Sequence, residues 1–224
     1  FIIIFLNKIY KNNSLLIEDL SKEDRKIHKF KVIRIGSVCF VPILLSTIYI
    51  IETTISFILY FSFLCLLLGL WEDISKSLDK YFRLIIIFII VLIFQISTEI
   101  LINDLDNQFL NILLNRNYVI SASFVIFSLL LIINGFNFID GVNGLLLGVS
   151  MIVLSIYSFY SFEVSHDIFI LCVSSIASIS VLFCFNIIHG KLLTGDGGSY
   201  FLGFLIGAIS IVISNKGIIN PLLI

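Results

Sequence analysis

The sequence is dominated by long apolar runs that are separated by short polar breaks. An α-helix needs about 20 mostly apolar residues to cross the hydrocarbon core of a membrane. Seven runs approach that length, and they predict membrane helices at residues 36–51, 55–71, 84–102, 118–136, 144–162, 168–188 and 199–214. Only 13% of the 224 residues are charged, whereas soluble domains carry about 25%. The sequence therefore predicts an all-α, polytopic integral membrane bundle.

Both ends of the chain carry shorter apolar stretches. Residues 1–6 have the composition expected at the end of a membrane helix, and residues 218–224 begin another apolar run. Counting them, we expect seven complete spans and two truncated ones. We expect residues 1–224 to form a single membrane domain, as a fragment of a protein that extends beyond both ends.

The basic residues fall mainly on one side of the predicted membrane. If the spans alternate in direction, the connections at 7–35, 72–83, 137–143 and 189–198 share one face. That face collects twelve lysines and arginines, whereas the opposite face has only Arg116 and Lys216. Because lysine and arginine favour the cytoplasmic side, the first face is predicted to be cytoplasmic. The net charge of −1 gives no indication of nucleic-acid binding.

Acidic residues that are far apart in sequence come together on this predicted cytoplasmic face. Three aspartates lie at predicted helix ends there: Asp73, Asp140 and Asp196. Three basic residues lie in the same connections: Lys76, Arg83 and Lys191. Carboxylates are preferred ligands of hard divalent cations, and basic side chains with loop amides bind phosphate oxygens. The pattern predicts a site for a divalent metal and phosphate groups.

Simpler structural roles stay open for these residues. Asp73 can form an ion pair with Lys76 on a solvated surface. Asp196 can be a turn residue or can cap a helix that begins at Ser199. The argument against these roles is that all the acidic segments share one face.

The most distinctive polar segment is residues 134–144, with the sequence Asn-Gly-Phe-Asn-Phe-Ile-Asp-Gly-Val-Asn-Gly. Its polar residues recur every third position: Asn134, Asn137, Asp140 and Asn143. If the preceding helix continues through them, neighbouring members point to nearly the same side. They can then face a common ligand. The alternative is a helix-turn-helix connector in which Asp140 or Asn143 caps the second helix.

Four segments of the predicted cytoplasmic face carry recognisable motifs. The first is Asp24-Arg25-Lys26-Ile27-His28, followed by Arg34-Ile35-Gly36-Ser37. The second is Gly69-Leu70-Trp71-Glu72-Asp73, and the third is segment 134–144. The fourth is Asn186, then Lys191, then Gly195-Asp196-Gly197-Gly198-Ser199. With these segments the chain resembles the polyprenyl-phosphate N-acetylhexosamine-1-phosphate transferases, which form glycosyltransferase family 4.

That family includes the phospho-N-acetylmuramoyl-pentapeptide transferase of peptidoglycan synthesis and the enzymes that start O-antigen and teichoic acid chains. The resemblance implies transfer of an N-acetylamino-sugar 1-phosphate from a UDP-sugar to undecaprenyl or another polyprenyl phosphate, with release of UMP. It also implies Mg²⁺ or Mn²⁺ as cofactor and a multi-pass location in the bacterial cytoplasmic membrane, with the active site facing the cytoplasm. The lipid bilayer is then a partner, and a homodimer stays open.

The resemblance also implies roles for individual residues. Asp196 would bind the metal, Asp73 would deprotonate or orient the lipid phosphate, and Asp140 would position the substrate, with Glu72 beside Asp73 as a further catalytic carboxylate. The substrate-binding candidates are Lys76, Arg83, Asn134, Asn137, Asn143, Asn186 and Lys191.

The family's proline before the arginine of the first motif is missing here, and three further positions depart from the family motifs. Ser37 stands for the second glycine of Arg-x-Gly-Gly, Glu72 for the first acid of an Asp-Asp pair, and Asn143 for the second aspartate of the third motif. We hypothesise that Asn143 orders the turn after Asp140 and caps the helix that starts at Gly144, which asparagine does about as well as aspartate.

The alternatives to this function are a transporter, a CDP-alcohol phosphotransferase and a purely structural membrane subunit. A transporter of a cation or an anionic solute would place its polar residues near the membrane midplane, in broken helices, whereas the acidic residues here lie at helix ends. The single-segment motif of the CDP-alcohol phosphotransferases does not occur in this sequence. A purely structural membrane subunit stays open.

Overall fold

The computed structural model describes residues 17–19, 31–33, 36–40, 43, 50, 52–76, 78–102, 105, 107–189 and 193–217. These residues form two three-residue strands, β1 (Ile17–Asp19) and β2 (Lys31–Ile33), which pair antiparallel. A 3₁₀ helix follows at Gly36–Phe40. The α-helices are α1 (Thr53–Ser75), α2 (Lys80–Thr98), α3 (Gln108–Asn115), α4 (Tyr118–Ile139), α5 (Leu145–Ser161), α6 (His166–His189) and α7 (Gly195–Asn215). The predicted all-α helical bundle is confirmed.

Five of the helices are long and apolar enough to cross a membrane: α1, α2, α4, α6 and α7. They correspond to the spans predicted at 55–71, 84–102, 118–136, 168–188 and 199–214. The span predicted at 144–162 appears as α5, which has 17 residues. Most of the span predicted at 36–51 lies outside the described residues, as do the stretches at 1–6 and 218–224. The chain is a multi-pass membrane protein.

Helix α7 forms the centre of the bundle. In its most apolar window 89% of the residues are buried, whereas in the other four candidate spans the share is between 22% and 50%. It packs against α1, α4, α5 and the 3₁₀ helix. The rings of Phe61, Phe94 and Phe204 join α1, α2 and α7, with centroids 5.1 to 6.4 Å apart. The helix that carries Asp196 is therefore surrounded by the others.

Polar contacts fix α7 at the end that is predicted to face away from the cytoplasm. Lys216, just after α7, donates to Glu52 Oε2 at 2.7 Å. Glu52 precedes α1, and its backbone N–H donates to Asp167 Oδ2 in the first turn of α6, at 2.6 Å. A cation at the carboxyl end of a helix is favourable for the helix dipole. One end of the central helix is thus tied to the starts of α1 and α6.

Several helices extend beyond their apolar residues. Helix α1 continues to Ser75, so Glu72 and Asp73 are helical, and the predicted loop at 72–83 is wrong for most of its length. Helix α7 begins at Gly195, which places Asp196 in its first turn. The physical reason is that a helix ends where its terminal backbone groups find partners, not where the apolar residues stop.

Candidate active site

The carboxylate of Asp73 lies against the first turn of α7. Its Oδ1 accepts a hydrogen bond from the backbone N–H of Asp196 at 3.1 Å, and its Oδ2 accepts one from Gly197 at 3.0 Å. The first N–H groups of a helix have no partner within the helix, and a negative charge there is favourable. Asp73 therefore caps α7 from the last turns of α1.

The alternative of a solvated ion pair between Asp73 and Lys76 is wrong. Asp73 is only 5% exposed. Lys76 ends α1 with a left-handed backbone, and its side chain is exposed. Its ammonium group forms no ion pair with another described residue. The structure does not bring Lys76 into the cluster around Asp196, and its role in substrate binding stays a prediction.

Gly69 allows α1 to come this close to α7. A Cβ atom at this position would lie 2.3 Å from the backbone nitrogen of Gly197, far inside the contact distance of real atoms. Gly69 is four residues before Asp73, so both lie on the same face of α1. The missing side chain brings the two backbones together, and Asp73 can then reach the α7 amides.

Asp196 is held by side chains from two further helices. Arg83, in the first turn of α2, donates from Nη1 to Asp196 Oδ2 at 2.6 Å. Asn137, in α4, donates from Nδ2 to Asp196 Oδ1 at 3.2 Å and to Ser199 Oγ at 3.0 Å. The Ser199 hydroxyl in turn donates to the backbone carbonyl of Asp196 at 3.1 Å. Helices α1, α2 and α4 thus converge on Asp196 of α7, a residue that is 7% exposed.

Glu72 connects this cluster to the turn between α1 and α2. Its Oε2 accepts a hydrogen bond from the backbone N–H of Leu78 at 3.0 Å. Its Oε1 lies 4.0 Å from Arg83 Nη1. The guanidinium group of Arg83 is therefore placed between the carboxylates of Glu72 and Asp196, and both attract it.

The predicted helical spacing of segment 134–144 holds for its first half. Asn134 and Asn137 both lie in α4. Asn137 reaches Asp196, but Asn134 donates to the carbonyl of Leu130 in its own helix at 2.7 Å. Asp140 is 8% exposed and forms the C-cap of α4. The structure therefore brings Asn137 to the cluster, while the substrate-positioning role of Asp140 stays a prediction.

The expectation that Asn143 or Asp140 caps the helix after this segment is wrong. The N-cap of α5 is Gly144, at a φ of 75° that glycine adopts readily, and no side chain of the segment caps the helix. The N–H of Gly144 donates instead to Asn186 Oδ1 in α6, at 2.6 Å. Asn143 is exposed and lines an apolar groove of about 400 Å³ between α5 and α6.

The structure thus separates the predicted site residues into groups. One cluster contains Glu72, Asp73, Arg83, Asn137 and Asp196. Asn186 serves a second contact, at the start of α5. Lys191 lies outside the described residues, as do Arg25, His28 and Arg34 of the basic segment.

Two residues of the site were missed. Ser199 was quoted only as part of a motif, although its position three residues after Asp196 puts it in the same helical turn. Ser37 is fully buried, and its hydroxyl has no hydrogen-bond partner in the part of the chain that the structure describes. That hydroxyl oxygen would lie 3.0 Å from a Cβ atom at Gly197. The sequence singles out Ser37 only as a departure from the Arg-x-Gly-Gly motif, and that motif does not predict its contact with Gly197.

Asp196 is a candidate ligand for a magnesium ion. Among the described residues, no group of three or more His, Cys, Asp or Glu side chains is arranged to hold a metal ion. Mg²⁺ does not require such a cage, because it is usually bound by one or two carboxylates together with water and substrate phosphates. Asp196 can supply one such carboxylate, provided that Arg83 leaves or shares Oδ2.

Comparisons with known proteins agree with the motifs. The model of the family described as Glycosyl transferase family 4 matches residues 55–214. A protein of Saccharolobus solfataricus, named as a UDP-N-acetylglucosamine–dolichyl-phosphate N-acetylglucosaminephosphotransferase, is 35% identical over 88 residues, which are 38% of this chain and 27% of that protein. The phospho-N-acetylmuramoyl-pentapeptide-transferase of Enterococcus hirae is 32% identical over 94 residues, which are 42% of this chain and 29% of that enzyme.

A longer alignment is found with the phospho-N-acetylmuramoyl-pentapeptide-transferase of Clostridium beijerinckii. It is 26% identical over 171 residues, which are 70% of this chain and 51% of that enzyme. The chain thus spans about half of the length of this relative. It spans less than a third of the length of the two others. The matched region of the family model contains α2, α4 and most of α1 and α7, which supply the cluster around Asp196. The chain belongs to glycosyl transferase family 4.

Proposed function

We propose that the protein transfers an N-acetylamino-sugar 1-phosphate from a UDP-sugar to a polyprenyl phosphate such as undecaprenyl phosphate, and that UMP leaves. The proposal is supported by family membership and by the relatives. The name of the Saccharolobus protein contains UDP-N-acetylglucosamine and dolichyl phosphate, and the name of the Enterococcus enzyme contains a phospho-N-acetylmuramoyl-pentapeptide group. This reaction is the first membrane step in the synthesis of a cell-surface polysaccharide or of the cell wall.

The observation that carries the proposal is the contact between Arg83 and Asp196. The reaction must bring two anionic phosphate groups together, so the site needs positive charge. The pair supplies a guanidinium for phosphate oxygens and a carboxylate for a metal ion, 2.6 Å apart at the start of α7. Asp73 already accepts from the amides of Asp196 and Gly197. These two amides are therefore already occupied, and in this proposal Arg83 and a metal ion supply positive charge for the phosphate groups.

In this proposal Asp196 holds Mg²⁺, or Mn²⁺ in its place. When bound, such an ion neutralises the diphosphate of the UDP-sugar and stabilises the leaving group. Asn137 and Asp73 keep Asp196 in position from α4 and α1. A direct role of Asp73 in deprotonating or orienting the lipid phosphate stays a prediction. The site then faces the cytoplasm, from the inner membrane of a bacterium.

The test is transfer of radiolabel from a panel of UDP-N-acetylamino sugars to undecaprenyl phosphate by the purified full-length protein with Mg²⁺. We expect labelled lipid with at least one sugar. Asp196→Asn should abolish the transfer, because an amide lacks the charge that a hard cation requires. Gly135→Ala is the control, since a Cβ atom there would meet nothing within 4 Å. A folded wild-type protein that labels no lipid with any UDP-sugar would contradict the proposal.

A further inference from the structure

Arg83 is incompletely satisfied in its contact with Asp196. Its Nη1 atom donates to Asp196 Oδ2 at 2.6 Å. Its Nε–H is buried and has no hydrogen-bond partner among the described residues. Arginine offers five N–H donors in a fixed planar fork, and a buried donor without a partner costs free energy. The guanidinium is therefore suited to a second ligand with more acceptor atoms than one carboxylate oxygen supplies.

The position of Arg83 also bears on the metal. A divalent cation that binds Asp196 through Oδ2 would occupy the place of the Nη1 proton. The two positive groups would repel each other strongly beside a side chain that is only 10% exposed, because screening by water is weak there. The other oxygen, Oδ1, accepts from the neutral amide of Asn137. Arg83 and a cation at Oδ2 would therefore compete for one oxygen atom.

We propose that Arg83 is the internal counter-ion of Asp196 in the metal-free protein and that binding of the divalent cation releases its guanidinium group to the diphosphate of the substrate. The inference rests on the metal site of the proposed function. It adds an order to binding: the cation comes first, and the phosphate site is completed by its arrival. The buried carboxylate of Asp196 then has a positive partner in both states, and a buried charge requires such a partner.

A second carboxylate lies close enough to attract the released side chain of Arg83. Glu72 Oε1 lies 4.0 Å from Arg83 Nη1 and keeps the positive group near the cluster. A free guanidinium can bind two phosphate oxygens through parallel N–H donors, which a single carboxylate oxygen does not use. Because binding free energies are reciprocal, diphosphate must also strengthen the binding of the cation through Arg83.

The first test measures Mn²⁺ binding to the purified full-length protein by electron paramagnetic resonance, without any substrate. Arg83→Gln removes the competitor and should bind Mn²⁺ about tenfold more tightly, a change of about 1.4 kcal/mol. Lys80→Gln is the matched control, because Lys80 lies one turn earlier on α2 and its Nζ contacts the ring of Tyr81 instead of Asp196. Its Mn²⁺ affinity should stay within about twofold of wild type, since exposed charges are screened. Asp196→Asn should remove the binding.

The second test uses inorganic pyrophosphate at saturating Mn²⁺. Arg83→Gln should bind it about tenfold more weakly than wild type, the size of one charge-assisted contact. Arg83→Lys keeps the charge without the planar fork, so its affinities for both ligands should lie between the other two.

The outcomes separate this inference from the proposed function. If Asp196→Asn removes Mn²⁺ binding but Arg83→Gln leaves it unchanged or weaker, the competition is overturned and the metal site stands. Equal tightening by Lys80→Gln would also overturn it, because the effect would then be one of general charge. If pyrophosphate binds Arg83→Gln as well as wild type, Arg83 is not released to phosphate. If neither wild type nor Arg83→Gln binds Mn²⁺, or if Asp196→Asn binds it normally, the metal site itself fails and the inference with it.

Discussion

The carboxylate of Asp73 caps a helix to which it does not belong: its Oδ2 accepts a hydrogen bond from the backbone N–H of Gly197 at 3.0 Å. The two residues are 124 positions apart in sequence. Through this contact the last turns of α1 set the position of the first turn of α7, and hence of Asp196. Asp73 therefore has a structural function in the site, whatever its part in the chemistry.

The first prediction concerns that cap. Asp73→Ala leaves two buried N–H groups without a partner, which should lower the free energy of unfolding by about 2 kcal/mol. For a chain of this size the apparent melting temperature in detergent should fall by about 4–8 °C. Asp79→Ala is the control, because Asp79 is an exposed N-cap residue of α2 whose side chain forms no capping bond. Equal melting temperatures for the two variants would show that the Asp73 contacts contribute nothing.

The second prediction concerns the close approach of α1 and α7. Gly69→Ala forces a Cβ atom against the backbone of Gly197, so the helices must separate. Overpacking of this kind costs about 1–3 kcal/mol or more. Because the displaced turn carries Asp196, sugar-phosphate transfer should fall together with thermal stability.

Gly135→Ala tests whether the effect belongs to that contact. It makes the same chemical change near the carboxyl end of α4, where the new methyl group meets no described atom within 4 Å. Alanine is about 1 kcal/mol better than glycine inside a helix, so this variant should be as stable as wild type or more so. A Gly69→Ala protein that behaves like Gly135→Ala would mean that α1 and α7 are not in backbone contact.

The third prediction concerns orientation. Arg116 and Lys76 are both exposed and lie on opposite predicted faces. In intact cells a membrane-impermeant maleimide should label Arg116→Cys but not Lys76→Cys, because basic loops stay inside. The exposed Cys184 is replaced in both variants, whereas the other three cysteines are buried and unreactive. Both variants should react in permeabilised cells, and labelling of only Lys76→Cys in intact cells would reverse the orientation and remove the cytoplasmic site.

The helical part of the site could be predicted from sequence because it depends on local spacing. Asn137 lies where a continuing α4 places it, and the positions of the long apolar runs gave the five membrane-length helices. The family motifs identified the acidic residues of the candidate site. Hydrophobic pattern and composition are properties of a single helix. The sequence therefore predicts the long helices and the place of Asn137 on one of them.

The contacts between helices could not be predicted in the same way. Nothing in the sequence near Asp73 shows that its partners are the amides of Asp196 and Gly197. The helix ends were misjudged for the same reason. The apolar run stops before Glu72, but α1 continues for a further turn to Ser75 because its final residues have partners outside the helix. Such partners come from tertiary structure.

The last prediction concerns Asn143 and Asn186. We expect Asn186 to stabilise the folded protein and Asn143 to contribute little to its stability. Asn186 is 2% exposed and accepts from the N–H of Gly144 at 2.6 Å. Asn186→Leu removes this acceptor and leaves a helix N-terminus unsatisfied, which should cost about 1–3 kcal/mol and lower the apparent melting temperature by several degrees. Asn143→Leu makes the same change at an exposed position and should leave the melting temperature within about 2 °C, since exposed substitutions rarely exceed about 0.5 kcal/mol.

Activity distinguishes a structural role of position 143 from a catalytic one. Asn143→Asp restores the acid of the family motif at a side chain that caps no helix here. We expect its rate of sugar-phosphate transfer to stay within a few-fold of wild type. A rise of the rate by about a hundredfold is the size of effect that one charge-stabilising group has on catalysis. Such a rise would show that the natural protein lacks a catalytic carboxylate at position 143. If instead Asn143→Leu melts as early as Asn186→Leu, the turn after Asp140 depends on Asn143, and the assignment of the cap to Asn186 is wrong.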